Sequence, residues 1–204
     1  MLSTARYSDS VPKRFESQPA GNMTLEQFLK KYRKGTSGIK YEWNNGIIEK
    51  SGAMKLEEQY ILNNLQKIFV KTPAFQKGDM LTYELEVWTS LTQWRKPDAA
   101  YLTAQQIENG ADGIESVPSF IIEVISKNDN VNTVFIKVDE YFKAGVKILW
   151  QIFPDAQMVQ VFSSSKKIEI MEGNDICSAE SVVQGFKLTV NEIFQRKGNN
   201  KSDN

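Results

Sequence analysis

The sequence predicts one α/β domain built on a mixed central sheet flanked by helices. Three observations carry this. Phe120-Ile121-Ile122-Glu123-Val124-Ile125 is an almost continuous apolar run, as a central strand covered on both faces requires. A helical pattern follows it, with Val134, Val138 and Tyr141 on one stripe and Gly145 as the stop, and then a further strand over Lys147 to Phe153. Asn45-Gly46 marks a type I′ turn in a hairpin over Tyr41 to Lys50. A chain of 204 residues suits one domain with a sizeable core.

Residues 1–22 are polar, with Pro12, Pro19 and Gly21, and read as a loose arm; 197–204 read as a tail, leaving 23–196 as the domain. A helix begins near Thr24, where Thr24 and Gln27 make a capping-box pattern ahead of Leu25, Phe28, Leu29 and Tyr32. Its polar face carries Lys30, Lys31, Arg33 and Lys34, either a solvated face or a set of phosphate contacts. Lys55 to Lys71 reads as a second helix, Leu81 to Thr89 as one half-buried strand, Pro97 to Leu102 as a short strand and Thr103 to Asn109 as a helical turn. Met158 to Ser163 and Lys167 to Met171 read as strands, and a short helix near Thr189 to Gln195 closes the domain.

Composition narrows the chemistry. With no histidine and one cysteine, Cys177, zinc sites of thiolate or imidazole and histidine-dependent triads are excluded. A metal here must be a hard, oxygen-seeking one, Mg²⁺ or Mn²⁺. A lone cysteine suits a reducing compartment, and no apolar run reaches the roughly 18–20 residues needed to cross a bilayer, so the cytoplasm is expected, with no membrane partner. Lys plus Arg equals Asp plus Glu at 25 each, so a nucleic-acid partner needs its positive charge gathered locally.

Glu123 is a carboxylate inside an apolar run, which is costly unless it is protonated, paired or bound to a metal. A strand end with an ordinary salt bridge is the alternative. Asp98 follows Pro97 on a short strand with enough chain after it to bring the two strands side by side. Two carboxylates facing one concave site repel unless a cation lies between them, and the Val124 carbonyl and waters can complete the shell of a Mg²⁺ site. Lys137 is three residues after Val134 and four before Tyr141, on the inward edge of its helix, either a functional ammonium or a snorkelling stem. Glu58 shares the face of Ile61, Leu62 and Leu65 and is either a further metal ligand or a partner for the helix dipole. Arg95 and Lys96, just before Asp98, are placed to meet a substrate backbone.

These residues resemble the Uma-two family of restriction endonucleases, a branch of the PD-(D/E)XK nuclease superfamily. The matching text is Tyr41-Glu42-Trp43 with Gly46, Pro97-Asp98, Phe120 through Ser126, then Lys137, Tyr141, Ala144-Gly145-Val146 and Trp150 through Pro154-Asp155, over roughly residues 24 to 190. The resemblance implies a restriction-endonuclease-like fold and a Mg²⁺- or Mn²⁺-dependent endonuclease acting on nucleic acid, DNA first, with a homodimer admitted. Asp98 and Glu123 are then the metal carboxylates. The superfamily's usual lysine, two residues after the Glu, is Ile125 here, and the Uma-two branch places its lysine on the following helix, which is Lys137; Lys127 is the substitute. Where the family has a histidine at the second helix this chain has Glu58, and Thr133 replaces an acidic residue four before the lysine. Those departures define the alternative, a nuclease-fold module that binds nucleic acid or protein without turnover.

Overall fold

The computed structural model describes residues 23–32, 39–52, 54–56 and 58–196. In chain order these form α1 (Leu25–Tyr32), β1 (Ile39–Asn44), β2 (Ile47–Gly52), α2 (Gln59–Phe69), α3 (Pro73–Gln76), β3 (Met80–Tyr83), β4 (Val87–Ser90), β5 (Gln93–Arg95) and β6 (Ala99–Leu102). There follow α4 (Ala104–Ala111), β7 (Phe120–Val124), α5 (Val131–Ala144), β8 (Ile148–Phe153), β9 (Met158–Ser164), β10 (Lys167–Glu172), β11 (Ile176–Ser178), β12 (Lys187–Thr189) and α6 (Val190–Phe194). The expected arm and tail lie outside the described residues, as do Arg33 and Lys34. Among the described residues no helix is long and apolar enough to cross a membrane.

The apolar run is the centre of the sheet, as its composition predicts. The six-stranded sheet has the order β10-β9-β8-β7-β6-β3, with β7 and β8 parallel and the other neighbours antiparallel. The parallel pair needs a crossover, and α5 supplies it. Asn130 caps that helix by accepting from the Thr133 N–H at 3.2 Å, and Gly145 ends it at φ 114°, a left-handed conformation that favours glycine. Alternation along β7 sends Phe120 and Ile122 to one face, where Trp150 and Ile152 join Ile61, Leu65 and Phe69 of α2 and Ile193 of α6. Ile121 faces the other way with Ala100, Leu149 and Phe162, against Val138 and Tyr141 of α5. Full burial of such side chains stabilises the fold by about 1.5–3 kcal/mol each.

A second sheet, β2-β1-β5-β4, grows from the hairpin. Asn45 (φ 50°) and Gly46 (φ 86°) make the tight turn, as expected. Tyr41, Trp43 and Trp94 pack under Leu25 and Phe28 of α1, whose capping box is made: Gln27 N–H donates to Thr24 Oγ1 at 3.2 Å and Thr24 N–H to Gln27 Oε1 at 3.0 Å. Tyr41 and Trp43 alternate with Lys40 and Glu42, so the opposite face of β1 is charged, yet Lys40 and Glu42 are buried too.

Two expectations are corrected. The strand read over Leu81 to Thr89 is two strands in different sheets, β3 and β4, because Glu84 takes a positive φ of 49° and redirects the chain. The second helix starts at Gln59 rather than Lys55, with Glu58 as its N-cap residue. Cys177 is fully buried, and burial first, with Asp175 nearby, pushes its thiol up to about 12, as suits a structural residue.

Candidate metal and catalytic site

The β6–β7 register pairs Ala99 with Ile122, so one residue further along Asp98 stands opposite Glu123. Alternation puts Asp98 on the face of Ala100 and Glu123 on the face of Ile121, which is one face, the side covered by α5. Both carboxylates are buried, at 7% and 4% exposure. Asp98 Oδ2 accepts from the Val124 N–H at 2.7 Å, which ties the two strand ends together. Glu123 Oε1 accepts from the Tyr141 hydroxyl at 2.7 Å, and Lys137 Nζ lies 3.6 Å from the same oxygen. Helical spacing on α5 brings Lys137 and Tyr141 to one side, four residues apart. Asp98, Glu123 and Lys137 therefore meet in one cluster. Lys127 is exposed in a turn closed by Asp129, whose Oδ2 accepts from the Ser126 N–H at 2.7 Å.

The second sheet completes the cluster. Lys40 Nζ donates to Asp98 Oδ1 at 2.8 Å, and Lys137 Nζ is 2.7 Å from Glu42 Oε2. Glu42 and Glu49 stand directly opposite on β1 and β2, an arrangement that needs a cation between them. Arg95 is that cation. Its Nη1 lies 3.2 Å from Glu42 Oε2 and also pairs with Glu49, while Nε and Nη2 reach Glu140 Oε2 at 2.8 and 2.6 Å. Arg95 is fully buried, so the expected contact with a substrate backbone is corrected: its guanidinium is spent on three carboxylates.

These charges set one another. Burial opposes the ionised Glu42, but Lys137, Arg95 and Lys40 outweigh it and lower its carboxyl to about 2. Burial likewise opposes the Lys137 ammonium, and Glu123 and Glu42 overcome it and hold the group above the usual lysine range. Lys40 is raised in the same way, against its burial, by Asp98, Glu123 and Glu42. Glu123 goes the other way: burial raises its carboxyl, with Lys137 and Lys40 only partly offsetting.

The carboxylates of the cluster offer the oxygen donors that a hard divalent cation takes. Three cations, Lys40, Arg95 and Lys137, face five carboxylates, Glu42, Glu49, Asp98, Glu123 and Glu140, and the donors are all oxygens. Gln151 adds an acceptor. It pairs in register with Glu123 on the adjacent parallel strand, so it shares the same face, and its Nε2 donates to the Val134 carbonyl at 3.3 Å. Its Oε1 is buried without a hydrogen-bond partner among the described residues. Among those residues no three Asp, Glu, His or Cys side chains converge into a ready cage, so an ion would draw on backbone, amide or water oxygens besides Asp98 and Glu123.

A cleft of about 480 Å³ reaches Asp98 between α2 and β3, lined by Gln59, Asn63 and Gln66 of the helix and by Tyr83 and Glu84. Glu58 is not joined to the cluster: its Oε2 accepts from the Lys55 N–H at 3.2 Å, as an N-terminal turn residue would. Lys96 Nζ pairs with Glu84 at 3.2 Å at the cleft, while its N–H donates to Glu42 Oε1 at 2.9 Å. Lys30 and Lys31 are exposed on α1, and Lys34 lies outside the described residues. Sequence reasoning missed Lys40, Glu42 and Gln151 as members of this cluster. The one available signal was the alternation of Lys40 and Glu42 with Tyr41 and Trp43.

The mixed-sheet fold is shared with a solved protein. A crystal structure described as a putative nuclease belonging to DUF820, from Anabaena variabilis, matches with a TM-score of 0.72 at 20% identity, covering 85% of this chain and 98% of that one. The likeness establishes a fold in common with that protein. The chain belongs to the Uma2 (Uma-two) family, described as "Putative restriction endonuclease", whose pattern matches residues 25–191. The family read from the sequence is thus borne out. No curated protein matches the chain.

Proposed function

We propose that this chain is a cytoplasmic, metal-dependent endonuclease that hydrolyses phosphodiester bonds in nucleic acid, DNA first. The observation that carries the reading is the placement of Asp98 opposite Glu123 on one buried face, with Lys137 reaching the same cluster from α5. Asp98, Glu123 and the Val124 carbonyl would hold Mg²⁺ or Mn²⁺. When bound, the ion supplies a polarised phosphate and a more acidic water. Tyr141 fixes the Glu123 carboxylate through its hydroxyl. Lys137, kept charged by Glu123 and Glu42, orients the attacking water or offsets negative charge as it develops. The substrate approaches along the cleft that ends at Asp98, with Lys96 paired to Glu84 of its wall and Lys30 and Lys31 available to phosphates elsewhere.

One observation favours a second reading, a binding module without turnover: Lys40 pairs with Asp98 Oδ1 at 2.8 Å and so engages a carboxylate that a catalytic ion would need. Thermal melts test the metal binding on which the nuclease reading rests, and cleavage then separates the two. Mg²⁺ or Mn²⁺ at one hundred times its dissociation constant should stabilise the wild type by about 2.7 kcal/mol, since it binds the folded state alone. Asp98→Asn should abolish the shift. A shift that survives in Asp98→Asn places the ion elsewhere and removes the basis of the nuclease reading.

A further inference from the structure

We propose that Lys40 is a tethered cation standing where a divalent ion would engage Asp98, so that metal binds by displacing its ammonium and Lys40 sets the metal affinity of the site. The inference rests on the metal-dependent reading above and concerns a residue that reading gives no part. Asp98 has two oxygens, and Oδ2 is committed to the Val124 N–H at 2.7 Å. Oδ1 is the freer ligand for an ion, and Lys40 Nζ occupies it at 2.8 Å.

The pairing is not a surface accident. Lys40 and Asp98 are buried at 8% and 7% exposure, Lys40 on β1 and Asp98 just ahead of β6, fifty-eight residues apart in sequence. The strand alternation that seats Tyr41 and Trp43 under α1 leaves Lys40 no other face to occupy. The other two cations of the cluster are engaged elsewhere, Lys137 with Glu42 and Glu123 and Arg95 with Glu42, Glu49 and Glu140. Asp98 and Glu123 both act on the Lys40 charge, so the ammonium lies in the field of the two carboxylates proposed to hold the ion. A lysine suits such a part better than an arginine, because it presents a compact point charge on a flexible stem and can yield to a stronger cation. An ion of twice its charge must still remove an ammonium from a buried carboxylate, which weakens apparent binding.

The test is calorimetric titration of Mn²⁺ into the full chain without substrate, for wild type, Lys40→Met and Lys40→Arg. Lys40→Met removes the competitor while keeping most of the side-chain volume, and should bind Mn²⁺ at least about tenfold more tightly than wild type. Lys40→Arg keeps the charge and grips Asp98 through a fork, and should bind several-fold more weakly. Equal or weaker binding by Lys40→Met, with wild type binding measurably, overturns the assignment of Lys40 and leaves the metal reading intact. If no form binds Mn²⁺, the metal reading falls and this inference falls with it. Should Lys40→Met fail to fold, Lys40→Arg decides: a weaker affinity supports displacement, and an unchanged one overturns it.

Discussion

Replacing Arg95 with Met tests whether this arginine serves the fold rather than the substrate. The substitution keeps an unbranched apolar stem in a fully buried position and removes only the guanidinium. Glu140 and Glu49 then lose their cation, while Glu42 retains Lys137 at 2.7 Å. Removing one partner from a buried ion cluster costs about 3–5 kcal/mol. For a chain of this size each kcal/mol moves the melting temperature by roughly 2–4 °C, so a fall on the order of 10 °C is expected. The loss must also depend on pH. Burial already raises the Glu140 carboxyl against the pull of Arg95, and without Arg95 it rises further. An acid raised above its unfolded value contributes stability that is present below the unfolded value, about 4.3, and is lost as pH rises through the folded one. The gap between variant and wild type should therefore be widest at neutral pH and close toward pH 4. Urea unfolding across that range measures it, and Arg95→Met with Glu140→Gln should recover part of the loss. A loss under about 1 kcal/mol, or a gap that does not change with pH, would refute the reasoning.

Glu42 carries the opposite sign. Its carboxyl, lowered to about 2 by Lys137, Arg95 and Lys40 against its burial, contributes stability that is present above its unfolded value and lost as pH falls through about 2. Glu42→Gln should destabilise the protein by roughly 3 kcal/mol at pH 7, with the difference fading below pH 4, again read by urea unfolding. Lys127→Ala, in an exposed turn, should keep most of any cleavage activity and at most weaken binding as salt rises; loss of turnover there would move the catalytic ammonium to the strand end.

The site was legible in the sequence where one residue broke a strong pattern. Glu123 stands out against Phe120, Ile121, Ile122 and Val124, and Lys137 stands out between Val134 and Tyr141, so local periodicity alone turns both inward. The contributions of the second sheet were not legible. Lys40-Tyr41-Glu42-Trp43 reads as an ordinary strand with its polar side in water, and nothing local says that α5 and the end of β7 cover that side. Arg95 beside Lys96 reads as a basic pair near a substrate for the same reason: its three carboxylates come from Glu42, Glu49 and Glu140, each more than forty residues away. The break at Glu84 was hidden because alternation from Leu81 to Val87 continues through it. Short elements such as α3, β5, β11 and β12 escaped because three or four residues carry too little periodicity to register.

The central claim, that Asp98, Glu123 and Lys137 form a metal-dependent hydrolytic site, is tested most directly by incubating a generic DNA substrate with the purified chain and Mn²⁺, beside Lys137→Ala shown to be folded by its melting curve. The account predicts cleavage by the wild type that EDTA abolishes, and none by Lys137→Ala. Cleavage by Lys137→Ala at the wild-type rate, or a wild type that binds Mn²⁺ yet cuts nothing, would contradict it.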